Sequence, residues 1–159
     1  MKDVEERFWS KVEKTDSCWN WTAALSGGYG VIRINKKKVY AHRFAYEALV
    51  GDIPGGHQLD HICHNRQCVN PGHLRPVTQK QNNENHSGAR RDSKSGVRGV
   101  SWFRPANLWI GQVNHDGKRV YCKYFKSIEE AEAAVIAKRN ELFTHNDADR
   151  AADVIPSTV

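Results

Sequence analysis

The stretch LDHICHNRQCVNPGHLRPVTQKQNN, residues 59–83, concentrates side chains that can do chemistry. Asp60 and His61 are adjacent, and Asn82 follows His61 by 21 residues. Between them Cys63, Cys68 and His73 fall at a C-x4-C-x4-H spacing. Thiolate and imidazole are zinc ligands, and close pairs on a tight loop are the pattern of a structural tetrahedral site. Carboxylate and amide oxygens suit a harder ion such as magnesium, which keeps several waters and leaves room for a phosphate. The segment therefore reads as a zinc staple beside a hard-metal site, with a histidine available as base.

These residues need elements to hold them. A strand ending at His61 presents Asp60 and His61, and Asn70-Pro71 makes the turn that follows. Thr78 with Gln81 three residues later is a capping-box signal, starting a short helix that carries Asn82 in its first turn. Asn83 and Asn85 are neighbouring amides that could stand in for Asn82. Strand, loop and helix in this order predict a small ββα arrangement.

Asp60-His61, Asn70-Pro71 with His73-Leu74, and then Asn82 resemble the HNH nuclease motif of the ββα-metal superfamily. The inserted Cys63, Cys68 and His73 are similar to the His-Cys box homing endonucleases within it, and the match spans roughly residues 17 to 86. The resemblance implies a homing-type or phage-type DNA endonuclease in which His61 is the general base. Asp60 and Asn82 would hold one catalytic Mg2+ (or Mn2+), Asn70 would fix the loop, and Zn2+ would be structural. The family separation singles out Asn82 among the three amides. Structural zinc sites close with four ligands, and in the resembling enzymes an upstream cysteine completes the set. Cys18 is the one upstream cysteine and takes that role, with His64 or His42 as fallback.

Upstream, residues 3–13 read as an amphipathic helix with Val4, Phe8 and Val12 on one face. Tyr29–Ile34 and Val39–Ala41 read as strands around a turn at Asn35–Lys38, and Arg43–Leu49 as a helix stopped near Gly51 and Pro54. Trp19 and Trp21 are expected in packing rather than in base stacking.

Residues 87–96 are small, polar and basic, a flexible-linker composition in which Arg90 and Arg91 could follow phosphates. Beyond them, Val97–Phe103, Leu108–Asn114 and Lys118–Phe125 read as three strands, with Asp116-Gly117 as a hairpin turn. Ser127 and Glu130 form a second capping box, opening a helix with Ile128, Ala131, Ala134, Val135 and Leu142 on one face. The RGVSW, GKRVY, YF and EEA stretches of this unit resemble the Apetala-type, ethylene-response-factor-like DNA-binding domain. By position the resemblance turns Arg98, Ser101, Phe103, Gln112, Asn114, Arg119 and Tyr121 towards double-stranded DNA. Alternation then sends Val100, Trp109, Val113 and Val120 to the helix. Plant members carry arginines where Ser101 and Phe103 stand, so their target sequence does not transfer.

The expected fold class is α+β. An HNH domain occupies residues 1–86, a basic linker 87–96, the DNA-binding unit 97–143, and a loose acidic tail 144–159. Cys122 is left as a buried core residue. The net charge of +6 is uneven. Residues 86–126 hold 9 Lys/Arg against 2 Asp/Glu, whereas 127–159 hold 3 against 7, so the middle is the polyanion-binding part. The start, MKDVEERFW, has no signal-peptide core, and no apolar run approaches the ~20 residues that span a bilayer, so a cytoplasmic protein with reduced thiols is expected. Since the chemical residues all precede the linker, a fragment ending near Ser87 is expected to cleave DNA still, but weakly and with poor site preference.

Overall fold

The structure, a computed structural model, describes residues 3–153. It divides into two compact units, one up to Lys80 and one from Gln81. In the first, Asp3 caps helix α1 (Val4–Trp9), its Oδ1 accepting from the Val4 N–H at 2.7 Å. The helix ends sooner than its apolar spacing predicts. Val12 begins strand β1 (Val12–Lys14), which pairs antiparallel with β2 (Trp19–Trp21) in the register Val12↔Trp21. A β-branched residue next to a waiting strand gains more from the ladder than from another helical turn.

Strand β3 (Leu25–Ser26) pairs with β4 (Tyr29–Ile34), which pairs with β5 (Lys37–Tyr40). Asn35 and Lys36 take φ of 48° and 65°, as a two-residue hairpin connection with primed-turn geometry requires. Ala41, expected as the end of β5, instead opens helix α2 (Ala41–Leu49) and is fully buried with Ala45. Phe8, Trp21, Ile32, Ala41, Ala45 and Val69 form the core of this unit. The Phe8 ring lies 5.0 Å from Trp21 and 4.5 Å from Phe44, so Trp21 packs as expected, and Trp19 lies against the same cluster. Strand β6 (Gln58–His61) and β7 (Leu74–Val77) then make the hairpin that carries the chemical residues. Helix α3 (Gln79–Glu84) follows, and the boundary between the units falls within it.

The second unit is a three-stranded antiparallel sheet in the order β10 (Lys118–Phe125), β9 (Leu108–His115), β8 (Val100–Phe103). Gly99, at φ +81°, sets where β8 begins: a Cβ there would come within 2.6 Å of the Gln112 carbonyl oxygen. Asp116 and Gly117 make the expected turn, and Ser127 caps helix α4 (Ile128–Leu142) by accepting from the Glu130 N–H. Val100, Val113, Ala131, Val135 and Phe143 form the core between sheet and helix.

Three expectations for this unit change. The register of β10 against β9 shifts between Arg119 and Tyr121, which leaves Val120 as a bulged residue, 44 % exposed. One extra residue reverses the alternation, so Tyr121 and Phe125 pack on the helix-side core, and Cys122 is exposed rather than buried. Residues 147–153, expected in a loose tail, form helix α5 (Asp147–Asp153), tied to α4 by the Arg139 Nε to Asp149 Oδ2 contact. Residues 154–159 of that tail lie outside the described residues. The segment expected as a flexible linker forms neither helix nor strand, yet the Ser95 hydroxyl donates to the Val100 carbonyl at 2.6 Å and accepts from the Val97 N–H at 3.2 Å.

Gly30 gives a test of the first core. A Cβ at Gly30 would sit 2.6 Å from two ring carbons of Trp21 and 3.0 Å from the Ala41 Cβ, all buried. Gly30→Ala should therefore destabilise the first unit by about 1–3 kcal/mol, the range of overpacked cores. Urea unfolding followed by tryptophan fluorescence measures it, and an unchanged midpoint would show that this core yields freely.

Candidate active site and metal centre

The β6/β7 hairpin pairs Asp60 with Arg75 and His61 with Leu74. Both Asp60 and His61 are buried, at 7 % and 6 % exposure. Asp60 Oδ2 accepts from Arg75 Nε at 3.1 Å and Nη2 at 3.0 Å, a charge-assisted pair that fixes where the carboxylate sits. His61 Nε2 lies 3.0 Å from the Cys68 carbonyl oxygen. A carbonyl only accepts, so Nε2 carries the proton and Nδ1 keeps its lone pair, the tautomer a general base needs. Burial lowers the His61 pKa, helped by Arg66 and His64, while the Cys68 carbonyl and Asp60 act the other way. The imidazole is therefore neutral at neutral pH.

His42, considered in the sequence only as a fallback zinc ligand, stands next to this base. Its ring centroid is 4.9 Å from that of His61, and Tyr29 lies 5.4 Å from His42 and 5.9 Å from His61. Burial, then His61, then Arg43 push the His42 pKa down to about 3, so it too is neutral. Its Nδ1 is buried and has no hydrogen-bond partner among the described residues. The one sequence signal for this cluster was a set of aromatic residues on β4, β5 and the start of α2, whose convergence depends on the hairpin register.

The loop between β6 and β7 brings Cys18, Cys63, Cys68 and His73 together, with ligand atoms all within 4.8 Å of one another. His73 Nδ1 is 3.6 Å from both Cys18 Sγ and Cys68 Sγ. A tetrahedron with zinc–sulfur bonds of about 2.3 Å has edges of about 3.8 Å, so the donor set fits a structural zinc. His42 and His64 are not among these four. Cys18 arrives because β2 is stitched to the loop: Trp21 N–H donates to the Gln67 carbonyl and Val69 N–H to the Trp19 carbonyl. Asn70 caps the turn Pro71–His73 by accepting from the Gly72 N–H at 3.0 Å, and its own amide donates to the Ser17 carbonyl at 3.0 Å. Burial pushes the Cys68 thiol up to about 12, against hydrogen bonds from Asn70 and Trp19, and it raises Cys63 as well. Loading a metal must then expel protons from these thiols.

Asn82 lies half-buried on α3. Asn85, one of the alternative amides, already accepts the Asp147 N–H at 3.0 Å through its Oδ1. In the second unit, pairing places Ser101, Gln112, Asn114 and Arg119 on the sheet face away from α4, with Phe103 5.3 Å from Tyr124. Arg90 and Arg91 are exposed. Two residues of the expected DNA-facing set do not join that face. Tyr121 is turned to the helix by the bulge, and the half-buried guanidinium of Arg98 donates to the backbone carbonyls of Asn83, Glu84 and His86.

The metal centre gives a clear outcome. Cys18→Ala and Cys63→Ala should emerge from purification without zinc and with a sharply lowered thermal midpoint, whereas Cys122→Ser should keep both at wild-type values. Elemental analysis beside a thermal melt reads this, and wild-type zinc content in Cys18→Ala would remove Cys18 from the ligand set.

Residues 39–84 match the HNH endonuclease family. The chain is 39 % identical over 80 residues to Protein 7.7 of Escherichia phage T7, covering 50 % of this chain and 62 % of that protein. It is 33 % identical over 84 residues to Protein 2.8 of the same phage, covering 50 % and 57 %, and 33 % identical over 78 residues to its Protein 3.8, covering 49 % and 64 %. The chain thus spans less than two thirds of the length of these curated relatives. No solved structure matches it. No helix among the described residues is long and apolar enough to cross a membrane. The family match stops at residue 84 and does not extend to the sheet and helix of the second unit. Residues 39–84, which contain Asp60, His61 and Asn82, are an HNH endonuclease domain.

Proposed function

We propose that the chain is a metal-dependent DNA endonuclease that hydrolyses phosphodiester bonds in double-stranded DNA. The observation that carries this reading is the His61 imidazole, held through Nε2 by the Cys68 carbonyl beside the Arg75-paired Asp60, within the residues that match the HNH family. His61 Nδ1 takes the proton of a water that attacks the scissile phosphorus. Asp60 and Asn82 are the hard-donor pair for a Mg2+ or Mn2+ ion, a donor chemistry that fits such a cation. When bound, that ion stabilises negative charge developing on the phosphate and on the leaving 3′ oxygen. Arg75 holds Asp60 in place through both hydrogen bonds. The products carry 5′-phosphate and 3′-hydroxyl ends. Zinc at Cys18, Cys63, Cys68 and His73 has no part in the chemistry and replaces the core that a small loop-rich domain lacks.

The second unit serves as the DNA reader in this proposal. Its support is the open sheet face bearing Ser101, Phe103, Gln112, Asn114 and Arg119, with the exposed Arg90 and Arg91 on the approach. The three strands and one helix have the architecture that an ethylene-response-factor-like domain would have.

His61→Ala should lose about 10²–10⁴-fold or more in cleavage rate while binding DNA with unchanged affinity, as expected when only the base is removed. In the wild type the acid limb of the rate against pH should fall below the ordinary histidine value of 6.5, because burial lowers the His61 pKa and the base stays competent until it is protonated. Plasmid cleavage over a pH series measures both. Retained activity in His61→Ala, or an acid limb above 6.5, would count against His61 as base.

A further inference from the structure

The helix that carries Asn82 is only six residues long. Isolated helices shorter than about 12–15 residues are marginal in water, so α3 depends on what holds it. The Arg98 guanidinium takes three carbonyls at its C-terminal end: Nη2 donates to Asn83 at 3.2 Å, and Nη1 donates to Glu84 at 3.1 Å and to His86. A cation capping the last carbonyls of a helix satisfies its orphan acceptors and opposes its dipole. The Arg98 side chain is seated by the Phe143 ring, 5.7 Å from its centroid, and the Arg98 carbonyl accepts from Arg139 Nη1 at 2.9 Å.

The last residue of α3 is anchored as well. Glu84 is 5 % exposed, and its Oε2 accepts from Thr144 N–H at 2.9 Å, Thr144 Oγ1 at 3.0 Å and His145 N–H at 3.4 Å. His115 Nε2 lies 3.6 Å from Glu84 Oε1. Asn85, immediately after the helix, accepts from Asp147 N–H. A buried carboxylate requires such donors, since leaving it without them costs far more than any one bond returns.

We infer that Arg98, together with the Glu84–Thr144 anchor, is a positioning residue for Asn82: it holds the short helix that carries this amide. The inference rests on the proposed reading of Asn82 as a metal ligand. Arg98 is then occupied with backbone carbonyls and is not a reader of DNA. A fragment ending near Ser87 lacks Arg98, Thr144, His145 and Asp147 together, and with them the contacts that hold this helix.

The test uses full-length protein. Mn2+ is titrated in without DNA and followed by the loss of its free EPR signal, and the Mg2+ concentration for half-maximal plasmid cleavage is measured in parallel. Arg98→Ala should weaken Mn2+ binding and raise the Mg2+ midpoint by roughly 10–100-fold, the size of effect seen when a partner that orients a metal ligand is lost. Cleavage should return at saturating metal, DNA affinity and its salt slope should stay at wild-type values, and Arg98→Lys should restore part of the loss. Thr144→Val, a milder change, should shift both midpoints in the same direction by less. Unchanged Mn2+ binding in Arg98→Ala overturns the inference, and lowered DNA affinity with it would make Arg98 a DNA contact. Should Arg98→Ala fail to fold by circular dichroism and zinc content, Thr144→Val decides, and an unchanged metal midpoint there overturns the inference. Asn82→Ala that binds Mn2+ like wild type would instead remove the underlying reading of Asn82, and this inference with it.

Discussion

Cys68 ties the two kinds of chemistry together. Its Sγ belongs to the Cys3His cluster, while its carbonyl accepts the proton on His61 Nε2 and so sets the tautomer of the base. Its amide donates to the Asn65 carbonyl, and an isolated bridge pairs it with Asn20 beside β2. With the backbone held from three sides, the direction of that carbonyl follows from the loop's closure. Closure in turn depends on four soft ligands brought from two distant parts of the chain, and little apolar area is available there to do the same work: Val69 is the loop's contribution to the core. The cluster and the His61 imidazole are thus mechanically one object.

Electrostatics around the base follow from burial. Asp60 and Arg75 face each other as a pair, whereas His42 and His61 are both pushed towards the neutral form, because desolvation is the largest influence on each. A neutral imidazole beside an anchored carboxylate is the arrangement in which a proton can be accepted without first being removed. His42 adds a second neutral ring, 4.9 Å from His61 between centroids and tilted by 60° to it.

Local chemistry was legible in the sequence, and partners remote in the chain mostly were not. Asp116-Gly117, Ser127 with Glu130, and the alternation in β4 each announce an element from within a few residues, and each formed. Ligand spacing found Cys63, Cys68 and His73, but joining Cys18 to them took the family resemblance. The bulge at Val120 escaped because alternation assumes an uninterrupted ladder, and one unannounced residue moved Tyr121 and Cys122 to opposite faces from those expected. Helix α5 escaped because its anchors are polar. Arg139 to Asp149, and the buried Asn146 amide to Asn140, leave no hydrophobic period to detect. Arg98 was misplaced for a related reason: a basic residue next to a DNA-binding motif looks like a phosphate or base contact until the carbonyls that occupy it are seen.

The charge distribution separates two tasks on the second unit. Its open sheet face is uncharged over most of its area, with Ser101, Phe103, Gln112, Asn114, Cys122 and Tyr124, and Arg119 stands at one end. Off that face, the exposed Arg104 and Lys118 sit at opposite ends of the strands, the exposed Lys123 and Lys126 lie in and just after β10, and Arg90 and Arg91 precede them all in the chain. Phosphate contacts supply affinity that falls with salt but carry no sequence information, whereas amides such as those of Gln112 and Asn114 can read an adenine edge. In the proposed role the ends of the sheet would therefore set how tightly the unit holds any duplex, and its middle would set which duplex it prefers. With Arg98 occupied by backbone carbonyls, Arg119 is the one guanidinium on that face among the described residues, so in the proposed role any recognition of guanine would be concentrated there and the rest would fall to amides and apolar contacts.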